Sequence, residues 1–244
     1  MPCRGTDVRN PELSVVVLCY RAGNAVRRFV KDLISCLEKE MDSWEIILVG
    51  NYLEGTDDIT PQVVREIAEG DVRIKTVARV KKGMMGWDVR SGFAEATGDV
   101  IALIDGDGQM NDRDIVRAYR ALRKHSCDIA KTYRIERHDS PYRFFISKVY
   151  NLVFQILFGG LKVRDVNSKP KLITRAAYDK LQLKSNDWFV DAEIMIQARR
   201  FKFKIFEVPC IFYDLKGRRS FVRIPAILEF IKNLIVARIK EFFE

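Results

Sequence analysis

The sequence predicts an α/β protein built on a mostly parallel sheet with helices on both faces. Short apolar, β-branched runs alternate with longer segments in which apolar residues recur at helical spacing. The connections between them are short, and strands that alternate with helices in this way form parallel sheets. The chain has 244 residues, 48% of them apolar, which suits one large domain or two small ones around an ample core.

The predicted elements follow in chain order. The first strand, residues 13–19, is uniformly apolar, as in strands that are buried on both faces. Asn24 is the predicted N-cap of the helix that follows. Further strands are predicted at 45–49, 72–77, 100–104 and 128–132, with helices from about 61, at 85–96 and at 112–123. The alternation weakens after Tyr133, where a helix at about 141–158 begins a differently built half.

Ligands of such sheets bind in the crevice at the carboxyl ends of the strands. We therefore expect five loops to open onto one crevice, those after Cys19, Val49, Val77, Ile104 and Thr132.

Composition excludes several classes of protein. The five cysteines are scattered without a C-x-x-C pair, and two histidines cannot complete a Cys/His zinc site with them. A disulfide scaffold and a structural zinc domain are therefore excluded, and a reducing compartment is expected. The sequence shows no secretory signal and no apolar run of spanning length. We therefore expect a protein that does not span a membrane but can lie on the surface of one.

The net charge of +9 favours an anionic partner: nucleic acid, a membrane surface or a polyphosphate substrate. From Arg199 onward the chain carries 11 Lys and Arg against 5 Asp and Glu, so most of the excess lies near its end. Nucleic acid is the weakest of the three, because no nucleic-acid-binding motif accompanies the charge.

A D-G-D-G-Q motif at residues 105–109 follows the fourth predicted strand. The carboxylates of Asp105 and Asp107 and the amide oxygen of Gln109 are hard ligands that suit Mg²⁺ or Mn²⁺ beside substrate phosphates. The alternative is an acidic turn that caps the next helix at Asn111 or Asp112. Neither G-x-G-x-x-G after the first strand nor G-x-x-x-x-G-K-[ST] occurs, which argues against a Rossmann dehydrogenase and a P-loop NTPase.

Several motifs together carry a family resemblance. Tyr20 stands where the family has P-x-Y-N-E, and D-G-D-G-Q stands for its D-A-D-x-Q. Arg134 stands for its G-S-R segment, and Asp165 heads a stretch similar to D-x-x-S-G-F-R. The remaining matches are the segments at 86–100, 147–151 and 207–209. With these motifs, the chain resembles family 2 glycosyltransferases of the GT-A fold from residue 13 to about 220, specifically polyprenyl-phosphate sugar synthases similar to dolichol-phosphate mannose synthase.

The resemblance implies a role for each matching residue. The catalytic residues would be Asp105, Asp107 and Arg134, and the metal ligands of Mg²⁺ or Mn²⁺ would be Asp105, Asp107 and Gln109. The nucleotide-sugar donor would contact Cys19, Tyr20, Asn51, Gly86, Arg90 and Asp105. The phosphate of a polyprenyl acceptor would contact Arg134, Lys216, Arg218, Arg219 and Ser220. A phosphate acceptor is already ionised, so it needs charge compensation more than a general base.

The sequence also departs from the family pattern. Gly50 and Asn51 replace the acidic residues of V-D-D-G-S that meet the donor base, so either Asn51 reads the base with its amide or Asp57 and Asp58 substitute. Residues 84–86 lack the usual G-x-G, and the N-S-K-P run at 167–170 lacks Gly-Phe. The basic segment at 215–220 matches R-x-x-G-x-S-K only loosely. A different sugar donor is the favoured explanation, and a weakened enzyme is the other.

Residues 1–215 are expected to form the catalytic domain, with a donor half at about 11–133 and an acceptor half at about 134–215. The helix at 141–158 is apolar on most sides, and the segment 216–244 is amphipathic with basic flanks. These helices are expected to lie in the membrane interface, and packing on the domain itself is the alternative. The resemblance then implies an enzyme bound peripherally to the cytoplasmic face of a membrane.

Two alternatives to a lipid-phosphate acceptor remain open. One is a saccharide acceptor, whose hydroxyl would need a general base from Asp165, Asp187, Asp191 or Glu193. The other is a catalytically reduced member that serves as a membrane-bound assembly partner.

Overall fold

The fold was analysed in a computed structural model that describes residues 10–137, 141–213 and 224–243. The strands are Leu13–Leu18 (β1), Trp44–Val49 (β2), Ile74–Val77 (β3), Val100–Asp105 (β4), Ile129–Arg137 (β5), Lys171–Thr174 (β6) and Ile205–Phe212 (β7). The helices are Ala25–Leu37 (α1), Thr60–Glu69 (α2), Met85–Phe93 (α3), Arg113–His125 (α4), Pro141–Leu157 (α5), Arg175–Tyr178 (α6), Val190–Arg200 (α7) and Ile224–Phe243 (α8).

These strands form one sheet in the order β3-β2-β1-β4-β6-β5-β7. β6 pairs antiparallel with both β4 and β5, whereas every other pairing is parallel. The predicted class, a mostly parallel sheet, is therefore confirmed. The sequence pattern indicated neither β6 nor β7, and β5 extends beyond its predicted end.

Both faces of the sheet are buried, which explains the continuous apolar runs. Alternate residues of β1 enter different cores: Val15 and Val17 pack with α1, α2 and α4, whereas Val16 and Leu18 pack with α3, α5 and α7. Leu234 of α8 is fully buried in the second of these cores.

Two local predictions need correction. Asn24 precedes α1 as expected, but its side chain makes no capping hydrogen bond, and its Oδ1 lies 3.5 Å from Nε of Arg27. Val72 was expected to begin the third strand, but it is 99% exposed and the strand begins at Ile74.

The register brings the carboxyl ends of four strands to one edge. Leu18 pairs with both Val49 and Asp105, and Val49 pairs with Val77. The loops after β1, β2, β3 and β4 therefore begin at the same level, as the expected crevice requires.

Gly92 sets the distance between α3 and the sheet. A Cβ at this position would lie 2.5 Å from Cγ1 of Val16 and 2.7 Å from Cγ2 of Val49. Gly92→Ala should therefore destabilise the fold by about 1–3 kcal/mol through overpacking, as measured by urea unfolding. Gly70→Ala is the control, because its Cβ would meet nothing closer than 3.5 Å. Equal midpoints for Gly92→Ala and the wild type would contradict this packing.

Candidate active site

The acidic turn, residues 105–109, begins at the last residue of β4. Gly108 has a φ of +77°, a conformation that glycine adopts without strain. Oδ1 of Asp107 accepts a hydrogen bond from the backbone N–H of Gln109 at 3.0 Å. Gln109 is tied to the end of β7, since its Nε2 donates to the Tyr213 carbonyl at 3.3 Å and its own carbonyl accepts from the Tyr213 N–H at 2.9 Å. The turn thus has a fixed backbone at the crevice edge.

Lys169 places an ammonium group on the first carboxylate of this turn. Its Nζ lies 3.2 Å from Oδ1 and 3.3 Å from Oδ2 of Asp105. The Lys169 side chain is 4% exposed, whereas that of Asp105 is 33% exposed. The sequence marked residue 169 as a departure from the family's glycine, but it gave no sign that the side chain turns inward toward Asp105.

The same ammonium group belongs to a chain of buried charges. Nζ of Lys169 lies 3.5 Å from Oδ2 of Asp191, and Lys171 bonds the other oxygen of that carboxylate. Burial alone would lower the pKa of Lys169, but Asp105 and Asp191 outweigh it and raise that pKa. Burial likewise opposes ionisation of Asp191, but Lys169 and Lys171 lower its pKa. Burial, with the charges of Lys131 and Lys169, lowers the pKa of Lys171 to about 8 against the pull of Asp191.

The residues of the acidic turn fit a divalent cation only if the substrate supplies ligands too. Across the described ranges, no group of three or more His, Cys, Asp or Glu side chains could hold a metal. Asp107 and the amide oxygen of Gln109 are hard donors, and Mg²⁺ and Mn²⁺ in such sites complete their shell with substrate phosphates and water. The donor set is therefore compatible with a cation that bridges the turn and a diphosphate.

Arg134, the predicted phosphate-binding and catalytic residue, is paired with Asp165. Its Nε donates to Oδ2 at 2.7 Å and its Nη2 to Oδ1 at 2.9 Å, a bidentate pair whose side chains are 10% and 9% exposed. Sequence reasoning identified both residues but not their pairing. The other predicted phosphate ligands, Lys216, Arg218, Arg219 and Ser220, lie outside the described residues.

Asn51, the predicted reader of the donor base, is buried and bonded within the protein. Its Nδ2 donates to Oδ1 of Asp88 at 2.9 Å and to Oγ of Ser91 at 3.0 Å, and its Oδ1 accepts from the Arg79 N–H at 3.0 Å. Both amide protons are therefore used by the protein itself. Of the proposed substitutes, Asp58 accepts from the N–H of Thr60 at the start of α2 at 3.0 Å, whereas Asp57 is exposed.

Cys19 and Tyr20 directly follow β1, which ends at Leu18, one residue before its predicted end. Cys19 is fully buried, its Sγ lies 3.4 Å from the Val17 carbonyl, and burial raises the pKa of its thiol. The ring of Tyr20 lies 4.2 Å from Nζ of Lys81, which is in turn ion-paired with Asp88 in a buried pair. Cys19 is therefore enclosed by the protein, and Tyr20 is partly exposed beside the buried Lys81–Asp88 pair.

Gly86 and Arg90, also predicted to bind the donor, contact the loop before α7. A Cβ on Gly86 would lie 2.5 Å from the Ser185 carbonyl oxygen, and the Gly86 N–H donates to the Asp187 carbonyl at 2.8 Å. Arg90 donates to Oδ1 of Asn186 at 2.6 Å and to the Lys184 carbonyl at 3.2 Å. Both residues thus tie α3 to the loop before α7.

The four carboxylates that were candidate general bases are all engaged. Asp165 holds Arg134, and Asp191 lies between two lysines. Asp187 accepts from Oγ of Ser185, from the Phe189 N–H and from Nδ2 of Asn233. Glu193 accepts from the N–H groups of Lys184 and Ser185, and burial raises its pKa.

Comparison with known sequences agrees with the resemblance. The sequence model described as Glycosyl transferase family 2 matches residues 14–184. The chain is 25% identical over 252 residues to dolichyl-phosphate beta-glucosyltransferase of Saccharomyces cerevisiae, an alignment that covers 93% of this chain and 74% of that protein. It is 27% identical over 214 residues to glycosyltransferase AglD of Haloferax volcanii, covering 84% of this chain but only 34% of AglD. The predicted likeness to polyprenyl-phosphate sugar synthases is confirmed.

Comparison with solved structures supports the fold. Glucosyl-3-phosphoglycerate synthase from Mycobacterium tuberculosis, in complex with Mn²⁺, uridine-diphosphate and phosphoglyceric acid, superposes with a TM-score of 0.70 at 17% identity. The alignment covers 93% of this chain and 78% of that one. A complex of the same enzyme with Mg²⁺ and uridine-diphosphate gives a TM-score of 0.69 at 15% identity. The GT-A fold predicted from sequence is therefore confirmed.

The bonding of Asn51 predicts the effect of restoring an acidic residue there. Burial raises the pKa of Asp88, and this effect outweighs Lys81 and Asn51, which both lower it. The carboxyl group of Asp88 therefore binds a proton more tightly in the folded state than in the unfolded chain. The contribution of Asp88 to stability therefore falls as pH rises from the ordinary carboxyl range through its raised pKa. Asn51→Asp would add a second carboxylate against it, and should destabilise the fold by at least about 2 kcal/mol at pH 7 and by less at pH 5.

Urea unfolding at both pH values measures this effect. Asn24→Asp is the control, since Asn24 is exposed at the start of α1 and should change stability by under about 0.5 kcal/mol. A variant at position 51 that is as stable as the wild type at pH 7 would contradict the arrangement.

Proposed function

The chain belongs to glycosyl transferase family 2, and we propose that it transfers a sugar from a nucleotide-diphosphate donor to a polyprenyl phosphate, with the help of a divalent cation, at a membrane surface. The observation that carries the proposal is the acidic turn at the carboxyl end of β4, on the edge where the loops after β1, β2 and β3 also begin. The similar proteins named dolichyl-phosphate beta-glucosyltransferase support the acceptor. The structural neighbours with uridine-diphosphate and Mn²⁺ or Mg²⁺ support the donor and the cation.

The residues of the crevice divide the chemistry between them. Asp107 and Gln109 would hold the cation, which would stabilise the negative charge that grows on the departing nucleoside diphosphate. Lys169 keeps Asp105 neutralised beside the turn, and the Arg134–Asp165 pair fixes the end of β5 against the loop before β6. These contacts are present before substrate binds, so the crevice is preorganised.

The bonding of the acidic residues favours a phosphate acceptor over a saccharide. A hydroxyl acceptor needs a general base, but Asp165, Asp187 and Asp191 each hold partners within the protein. An ionised lipid phosphate is itself the nucleophile and needs no proton removed. A catalytically reduced member is the second candidate, favoured by the ammonium group on Asp105.

Two neighbouring helices support docking at a membrane surface. α5 buries Tyr150 and Phe154, while on its other side Phe145, Leu152 and Ile156 are 66%, 60% and 73% exposed. α8 lies against α5 and exposes three further apolar residues, Ile235, Val236 and Ile239. Lys232 and Lys240 of the same helix are exposed as well. Exposed apolar faces with basic residues suit the interface of an anionic bilayer. In the described part of the chain, no helix is both long and apolar enough to span a membrane.

Removal of the Asp107 carboxylate tests the transfer reaction. Asp107→Ala should lower sugar transfer to a short polyprenyl phosphate by at least about 100-fold, because the cation loses its carboxylate ligand from the protein. The assay follows radiolabelled sugar from UDP-, GDP-, CDP- and dTDP-sugars into the lipid, with and without Mn²⁺. Asp112→Ala, in the same loop, is the control that should keep activity. Transfer to a saccharide but not to the lipid would overturn the acceptor, and no transfer from any donor would favour the reduced member.

The exposed face of α5 gives a separate test of membrane docking. The double substitution Phe145→Ser and Ile156→Ser should weaken binding to anionic vesicles at least about tenfold, because each side chain would bury apolar surface in the interface. Co-sedimentation with phosphatidylglycerol-containing vesicles measures this, and wild-type binding should weaken with salt. Val72→Ser is the control, because Val72 is 99% exposed in the loop before β3. Undiminished binding of the double variant would remove α5 from the docking surface.

A further inference from the structure

Buried side chains bond the backbone of the loop that carries Lys169. We call residues 165–170, which lead from α5 into β6, the strap. Nζ of Lys131 donates a hydrogen bond to the Asp165 carbonyl oxygen, and Nζ of Lys171 donates to the Val166 carbonyl oxygen at 3.3 Å. Oγ1 of Thr132 donates to the Lys169 carbonyl at 2.6 Å and lies 2.8 Å from Oγ of Ser168. The strap thus has a fixed backbone, and the position of Lys169 follows from it.

The side chain of Lys169 is directed by two carboxylates and a thioether. Its Nζ reaches both oxygens of Asp105, one oxygen of Asp191 at 3.5 Å, and Sδ of Met85 at 3.3 Å. Asp191 already bonds Lys171, so Lys169 adds a positive charge that Asp105 balances. A buried ammonium group is retained at such a site only when carboxylates partner it.

This geometry changes what the acidic turn can do with a divalent cation. The two carboxylates of a D-x-D motif would both attract a cation, but the oxygens of Asp105 already face an ammonium group. A divalent ion next to Asp105 would be repelled by Lys169 at close range, where burial leaves little water to screen the charges. Asp107 lies two residues further along the turn, and its Oδ1 accepts a hydrogen bond from the backbone N–H of Gln109 at 3.0 Å.

We propose that Lys169 is a fixed cation of the donor site, which neutralises Asp105 and leaves Asp107 as the carboxylate of the turn that binds the divalent cation. The inference rests on the proposed donor site and specifies how that site divides its charges. One consequence is that the cation binds weakly alone and much more tightly with a nucleoside diphosphate, whose oxygens replace the second carboxylate. Lys169 acts through Asp105 and is therefore a positioning residue.

Binding of Mn²⁺ alone tests the proposal directly, with electron paramagnetic resonance of free Mn²⁺ as the readout. Lys169→Met fills the same space without charge, leaves Asp191 its bond to Lys171, and should bind Mn²⁺ at least tenfold more tightly than the wild type. The double variant Lys169→Met, Asp105→Asn should lose the gain in affinity, because that gain depends on the Asp105 carboxylate that Lys169 no longer neutralises. Lys75 of β3 is paired with Glu45 of β2, away from the acidic turn, and Lys75→Met should leave Mn²⁺ affinity unchanged.

A second comparison needs no substitution of the buried lysine. In the otherwise wild-type protein with Mn²⁺ and UDP or GDP, Asp107→Asn should weaken Mn²⁺ binding at least tenfold, whereas Asp105→Asn should change it by less than threefold. Equal losses at the two positions, or unchanged affinity in a folded Lys169→Met protein, would overturn the inference while the proposed transfer reaction stands. If no variant binds Mn²⁺ with any nucleoside diphosphate, both the inference and the proposed cation are wrong.

Discussion

A run of charges connects the antiparallel strand to the acidic turn, from the buried Lys171, Asp191 and Lys169 to the partly exposed Asp105, and the architecture of the candidate site depends on it. Each of these groups would be strongly destabilising if it were buried alone, because transfer of an unpaired charge from water into the interior is expensive. The sheet order makes the run possible: β6 lies between β4 and β5, so that its lysine and the strap before it reach the end of β4. The strand order of the sheet therefore determines which charged groups meet at the site.

The parallel part of the fold could be predicted from sequence because its strands are buried on both faces and its helices are amphipathic. The continuous apolar run of β1 indicates a strand buried on both faces, and the helical spacing of apolar residues in α1 indicates a helix buried on one face. β6 escaped prediction because Lys171 is a residue type that patterning assigns to the surface, yet its side chain is fully buried. Only the partner Asp191, 20 residues further on, makes that burial tolerable, and single-sequence patterns carry no such pairing information.

For the candidate site, the sequence indicated where the acidic turn lies on the backbone but not which side chains contact the candidate residues. The acidic turn lies at the strand end where the sequence placed it, because a strand end follows from hydrophobic patterning alone. Arg134, within β5, and Asn51, two residues after β2, were also named from sequence, but only the structure shows that their side chains bond Asp165 and Asp88. α8 shows the same limit: helical periodicity finds both its faces, but only the structure shows that Leu234 faces the core while Ile239 does not.

The charges of the described site nearly balance, and this constrains how two anionic substrates could meet there. Its buried basic groups are matched one by one: Lys131 with Glu207, Lys171 with Asp191, Lys169 with Asp105 and Arg134 with Asp165. A nucleoside diphosphate and a lipid phosphate repel each other, and these neutral pairs compensate little of that repulsion. On the proposed function, the compensating positive charge would therefore come chiefly from the divalent cation that binds with the nucleoside diphosphate.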